Sequence, residues 1–304
     1  MFIKERIESD ELKILRILNI RGELTRDEKY RLSNLEKGFK GEVEFDLLTK
    51  TLQEERYILN DLLLKVKEQT FQIDSVIISH GVVYLFDVKN YEDNCYIDGD
   101  LLCSADSDSE YSNPVNQLKR ASSLFRQLLQ KNYYNILVKA YVVFINPEFT
   151  LYQAPRDQPI ILPTQVKRFI ETLNKTSSKL DSEEKMLAKL LLAHHQTKNP
   201  FTNLPIFSFG KLKKGPFCCD CHSFDVNVHK HNLVCKKCEK HEKVSSTVLR
   251  CVNEIKLLFP EMKITTVCVY DWCGSIIGKK RIRRILLKNF QSCGGKNHTY
   301  YELL

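Results

Sequence analysis

No apolar run in the 304 residues approaches the roughly 20 that a membrane helix needs. The opening MFIKERIESDELKIL also lacks the apolar core of a secretory leader. These absences set the expectation of a cytoplasmic protein with no membrane partner, in which the eleven cysteines stay reduced and serve metal rather than disulfides. Acidic residues are scarce in one place. Residues 211–304 carry 18 Lys and Arg against 8 Asp and Glu, whereas residues 1–210 are close to neutral at −2. All of the basic excess therefore sits in the last third, which points to a polyanion partner there, nucleic acid ahead of an anionic membrane. With 43% hydrophobic residues the chain can bury proper cores, and its length suits two or three domains.

What is present starts with residues 71–91, FQIDSVIISHGVVYLFDVKNY. Two runs rich in β-branched and aromatic residues flank His80-Gly81, which reads as a two-residue hairpin turn. Pairing Ser79 with Val82 carries Asp74 opposite Asp87, and alternation puts Lys89 on the face of Asp87. Like charges directly opposed in a sheet repel, so two carboxylates there call for a cation, with Lys89 nearby. The alternative is that both Asp residues lie at wet strand ends and bind nothing, and a one-residue slip would separate them.

Further motifs accompany the hairpin. Lys37-Gly-Phe-Lys-Gly-Glu42, Asp74 in QIDSVII, DVKNY at 87–91 and NPVNQ at 113–117 together resemble the nuclease-related domain, NERD, a family grouped with the PD-(D/E)XK nucleases. The likeness covers about residues 35 to 145. It implies an acidic helix residue at Glu42, metal carboxylates at Asp74 and Asp87, a catalytic lysine at Lys89 and a helix glutamine at Gln117. The family usually has Glu where Asp87 stands, and Glu44 is an alternative for the first carboxylate. The implied chemistry is phosphodiester hydrolysis with Mg²⁺ or Mn²⁺ on Asp74, Asp87 and Glu42, the ion acting as Lewis acid. Lys89 would orient water or stabilise the charge that builds in the transition state.

Around this region the pattern predicts an N-terminal helical extension over 1–34, with Leu12, Ile14, Leu15 and Leu18 as its apolar face. It predicts a helix near 41–52, a loop over 104–113, a helix over 114–130 and a buried strand over 136–145. Helices near 163–173 and 182–195 follow, with His194-His195 read as caps of a helix end rather than ligands. The expected nuclease-like domain spans 35–150 and a helical extension or linker 151–210. The expected fold is α/β (α+β), a mixed sheet flanked by helices.

Cys218-x₂-Cys221 and Cys235-x₂-Cys238, thirteen residues apart, read as a four-thiolate zinc ribbon over 211–244. Cys219, His222 and His241 are bystanders in this reading. Residues 245–304 predict a helix capped by Ser245-Ser246, a second starting at Thr265-Thr266, and a third with Lys279, Lys280, Arg281, Arg283, Arg284 and Lys288 outward. Gly294-Gly295 then returns the chain as a hairpin. This order resembles a winged helix-turn-helix that contacts nucleic acid, DNA ahead of RNA; an ordinary solvated cationic face is the alternative. The sequence thus predicts a metal-dependent nuclease targeted by its basic tail, or a non-catalytic nucleic-acid-binding regulator or processing factor on the same scaffold.

Overall fold

The computed structural model describes residues 1–197, 202–295 and 298–302. The expected linker 151–210 and the turn of the expected wing each include residues outside that description. The chain runs β1 (Phe2–Lys4), α1 (Asp10–Arg21), α2 (Arg26–Thr49), β2 (Tyr57–Val66), β3 (Gln69–Ser79) and β4 (Val82–Lys89). Next come β5 (Asn94–Asp98), β6 (Leu101–Ser104), β7 (Glu110–Ser112), α3 (Pro114–Lys131), β8 (Leu137–Phe144), β9 (Thr150–Tyr152) and β10 (Ile160–Ile161). Then follow α4 (Pro163–Lys175), α5 (Ser182–His194), β11 (Val226–His229), β12 (Asn232–Cys235) and β13 (His241–Lys243). The last elements are α6 (Val244–Leu258), α7 (Thr266–Trp272), α8 (Lys279–Asn289), β14 (Gln291–Cys293) and β15 (Tyr300–Glu302).

Two compact units result: Met1–Glu8 with Ser33–Thr202, and Ser9–Leu32 with Asn203–Leu304. The stretch 1–34 is therefore not one extension, because β1 joins the sheet of the first unit while α1 lays Leu12, Leu15 and Leu18 into the core of the second. The stretch 151–210 is not a linker either, since β10, α4 and α5 complete the first unit.

The first unit is a mixed six-stranded sheet in the order β1-β2-β3-β4-β8-β10. Strands β2, β3 and β4 form an antiparallel meander with β3 and β4 turning at His80-Gly81, and β8 lies parallel to β4. Apolar residues of α3 and α5, among them Phe125, Leu128, Leu187 and Leu191, cover one face. Phe45 of α2 and Val166, Ile170 and Leu173 of α4 cover the other. Strand β4 ends at Lys89 and β5 starts a second sheet, β7-β6-β5-β9, which also turns part of the expected 104–113 loop into β7.

The second unit contains the antiparallel ribbon β11-β12-β13, helices α6 to α8 and the hairpin β14–β15. Its core is built from Val248, Val252, Ile255, Val269, Trp272, Ile282 and Leu286. Arg21 of α1 is buried there against Glu254 at 2.6 Å, with Trp272 Nε1 donating to the same carboxylate at 3.0 Å. Helix α6 begins at Val244 with Lys243 as its cap, so Ser245 and Ser246 lie inside the first turn; β13 runs straight into the helix and leaves no room for a serine cap.

Candidate active site and metal centre

The site arises where the sheet breaks its own rule. Strands β2 and β3 keep one register, Asn60 opposite Ser75 and Leu62 opposite Ile73. Yet Leu59, Leu62 and Leu64 enter the same core, as do Phe71, Ile73, Val76 and Ile78, so alternation slips once in each strand at the same level. Asp61 takes up the slip with φ of 53°, a left-handed backbone uncommon for a non-glycine residue. Ser75 Oγ donates to Asn60 Oδ1 at 2.9 Å within the break. The pairing of β3 with β4 ends at Ser75 and Phe86. Asp74, the next residue, turns its carboxylate into the gap, and Oδ2 accepts the backbone N–H of Val88 at 2.8 Å.

Lys89 reaches Asp87 Oδ1 at 2.7 Å and donates to Gln117 Oε1 at 3.3 Å. Gln117 is delivered by the first turn of α3, where Pro114 opens the helix and Asn113 Oδ1 accepts from Val115 N at 3.0 Å. Asp74, Asp87, Lys89 and Gln117 line one cavity of about 230 Å³, floored by Leu85 and Leu118. The structure thus brings these four sequence-predicted residues together.

Glu42 arrives from α2, and Gly41 is what lets it come so close. A Cβ on Gly41 would stand 2.5 Å from Asn90 Cβ and 3.0 Å from Ile145 Cγ2. Asn90 Nδ2 also donates to the carbonyl of Lys37 at 2.7 Å, tying that helix to the end of β4. Glu42 and Asp46, one turn apart, both face Arg6, while Glu44 points to solvent. Arg6 pairs with Glu42, donates to both oxygens of Asp46 at 2.9 and 3.1 Å, and donates to the Asp74 carbonyl at 2.7 Å. Arg6 and Asp46 carry no signal in the sequence pattern; Asp61, whose carboxylate accepts from Gln72 Nε2 at 2.8 Å with Lys4 3.9 Å away, carries only a weak one as part of a polar pair inside an apolar run.

Burial pushes Glu42 up to about 7 despite the pull of Arg6. Asp74 is pushed well above the usual carboxylate range by burial, then by the charges of Glu42 and Asp87. Burial also disfavours the Lys89 ammonium, but Asp87 and Asp74 outweigh it and hold the proton more firmly than on an ordinary lysine. The carboxylates of Glu42, Asp74 and Asp87 are not all within 4.8 Å of one another. Among the described residues two groups are: the four ribbon cysteines, and His80 with Asp181 and Glu184. The second has a structural explanation, since Asp181 and Glu184 form a capping box on α5 and Glu184 also accepts Gly81 N at 3.0 Å.

The cysteine group is built from two matching knuckles. His222 and Glu239, each directly after a Cys-x₂-Cys, adopt φ of 59° and 58°. Their amides return to Cys218 O and Cys235 O at 3.1 and 3.0 Å. Asp220 N and Lys237 N donate to the first sulfur of each pair at 3.4 and 3.3 Å. Sulfurs of Cys218 and Cys238, and of Cys221 and Cys235, lie 3.5 Å apart. A zinc–sulfur bond of about 2.3 Å in a tetrahedron requires sulfurs about 3.8 Å apart, so four thiolates in this arrangement fit Zn²⁺. Cys219, His222 and His241 stand outside the group.

On α8, Lys279, Lys280, Arg283, Arg284 and Lys288 are exposed around the buried Ile282 and Leu286. Arg281 differs: its guanidinium donates to the Lys230 carbonyl at 2.7 Å and touches His231, joining the helix to the β11–β12 turn. Among the described residues no helix is long and apolar enough to cross a membrane.

Comparison with curated proteins gives no match, nor does comparison with solved structures. The family model of the nuclease-related domain matches residues 37–145, the stretch that carries Glu42, Asp74, Asp87, Lys89 and Gln117. The match covers about a third of the chain, and the family it identifies there is one grouped with the PD-(D/E)XK nucleases.

Proposed function

We propose that the chain is a divalent-cation-dependent nuclease that hydrolyses phosphodiester bonds of DNA, with RNA second, and holds its substrate through the zinc ribbon and the basic helix α8. The observation that carries this reading is the convergence of Asp74, Asp87, Lys89 and Gln117 on one cavity at the break in the sheet. Among the described residues no basic side chain forms an ion pair with the Asp74 carboxylate, and burial beside Glu42 and Asp87 disfavours its charge. A hard cation relieves that deficit, and oxygen donors favour Mg²⁺ or Mn²⁺. Mg²⁺ commonly uses one or two carboxylates and keeps several waters, so Asp74 and Asp87 suffice to hold it with Glu42 at the rim. Such an ion supplies Lewis acidity toward the phosphoryl oxygens and a nucleophile at neutral pH.

The chain's own groups do the rest. Lys89, fixed between Asp87 and Gln117, keeps its proton and presents it to the attacking water or to the phosphoryl oxygens as charge accumulates. Gln117 sets the direction of that ammonium. Leu85 and Leu118 exclude bulk water from the floor of the cavity. In the second unit, helices α6 to α8 and the β14–β15 hairpin follow the order of a winged helix-turn-helix, which supports major-groove contact through the exposed cations of α8. One observation favours the second reading, a non-catalytic nucleic-acid-binding regulator: Arg6 on Glu42 and Lys89 on Asp87 neutralise two carboxylates internally.

The test is incubation of the purified chain and its Asp87→Asn variant with labelled DNA and RNA in Mg²⁺, Mn²⁺ or EDTA. Cleavage by the wild type alone, and only with the cation, is expected. Binding without cleavage across the panel would favour the regulator.

A further inference from the structure

Beside the cavity, bonded to the carbonyl of Asp74, the chain holds a cation of its own. Arg6 lies outside the stretch matched by the family, in the segment that enters through β1, and its side chain is only 3% exposed. Its guanidinium makes four hydrogen bonds, to Glu42, to both oxygens of Asp46 and to the carbonyl of Asp74. Glu42 and Asp46 project from successive turns of α2, a pair of carboxylates suited to gripping a divalent ion from one side. The flat fork of an arginine matches such a pair in two directions at once and never gives up its charge.

We propose that Arg6 occupies, as a permanent positive charge, the place of a second metal ion, so that the pocket takes a single divalent cation on Asp74 and Asp87. This rests on the reading of the pocket as a divalent-cation centre. Charge balance supports it. Glu42, Asp46, Asp74 and Asp87 are four carboxylates, and Arg6 and Lys89 are the two cationic side chains bonded to them. With all four ionised the remainder is two negative charges, which one divalent ion neutralises. Asp61 does not alter the sum because Lys4 stands beside it at 3.9 Å. Geometry agrees: Glu42, drawn to Arg6, does not close to within 4.8 Å of Asp74 and Asp87 as a set. A centre with two ions about 3.5–4 Å apart needs carboxylates shared between the ions, and here Arg6 already holds those on the α2 side.

The experiment counts ions. The full chain, its ribbon loaded with zinc, is titrated at pH 8 with Mn²⁺ while free Mn²⁺ is read by electron paramagnetic resonance. The wild type is expected to bind one Mn²⁺, Asp74→Asn none, and Arg6→Gln two, because removing the guanidinium frees Glu42 and Asp46 for a second ion. Arg6→Lys, which keeps the charge, should return the count to one. Two ions in the wild type would overturn the inference while leaving the cation-centre reading intact. No ion in the wild type would overturn both. One ion in Arg6→Gln, bound as in the wild type, would reduce Arg6 to a structural salt bridge. Should Arg6→Gln fail to fold, the wild-type count alone decides between one ion and two.

Discussion

Gly38 and Gly41 lie three residues apart on α2, and replacing each with alanine separates helix propensity from the docking that delivers Glu42. A Cβ on Gly38 meets nothing within 4 Å, whereas one on Gly41 meets Asn90 Cβ at 2.5 Å and Asn90 Cγ at 2.9 Å. Alanine is better than glycine inside a helix by about 1 kcal/mol, so Gly38→Ala should stabilise the first unit by about that amount. Gly41→Ala receives the same benefit but forces the helix off β4, and overpacking of this kind costs about 1–3 kcal/mol. The obstacle is the root of the Asn90 side chain, not a flexible tip, so the upper part of that range applies and the net loss is about 1–2 kcal/mol. For a unit of this size that lowers the melting temperature by roughly 2–8 °C, while Gly38→Ala raises it by roughly 2–4 °C. Calorimetry is the right assay, because the single tryptophan, Trp272, belongs to the second unit whereas Gly38 and Gly41 lie in the first. Gly41→Ala should also impair cleavage, since Glu42 and Asp46 retreat with the helix. Equal stabilisation by both alanines would refute the close approach of α2 to β4.

Three further outcomes follow from the geometry. Metal analysis should find one zinc per chain, and its removal by a chelator should shift Trp272 fluorescence to the red; Cys219→Ala should change neither. Replacing Lys280, Arg283 and Arg284 with glutamine should flatten the salt dependence of duplex binding, by about 0.9 in the log–log slope for each phosphate that is no longer neutralised, whereas a preserved slope would leave α8 an ordinary solvated face. The third concerns pH. Folded Glu42 holds its proton up to about 7 against an ordinary value of 4.5, so between those values the native state binds more protons than the unfolded chain. Stability of the cation-free protein should therefore fall as pH rises from about 4.5 to about 7. In a denaturant series Glu42→Gln should flatten that slope.

Much of the molecule is legible in residues close in sequence. The β3–β4 hairpin can be read because His80-Gly81 interrupts two β-branched runs, and Gly81 does take φ of 70°. The zinc knuckles can be read because each pair of ligands lies within one turn. Asn113-Pro114 announces the start of α3. What stays hidden depends on distant partners. Arg6 stands 36 residues from Glu42 and 68 from Asp74, in a charged segment with no periodicity to single it out. Strand β2 has a weaker signal, its polar Asn60-Asp61 inside an apolar run, which marks the level at which the sheet changes face. Helix α2 starts at Arg26, well before the expected 41, because its first turns are polar and hold Gly38, which a propensity argument counts against a helix. The cap at Lys243 is invisible to local reasoning because a serine pair is the stronger local signal, whereas the directly preceding strand decides the boundary.

The most direct test of the central claim is single-turnover cleavage of a labelled DNA duplex by the wild type and by Asp74→Asn, both zinc-loaded and supplied with Mn²⁺. The wild type should cleave, Asp74→Asn should not, and both should bind the duplex equally. Equal cleavage by the two proteins, or cleavage that persists in EDTA, would contradict that claim.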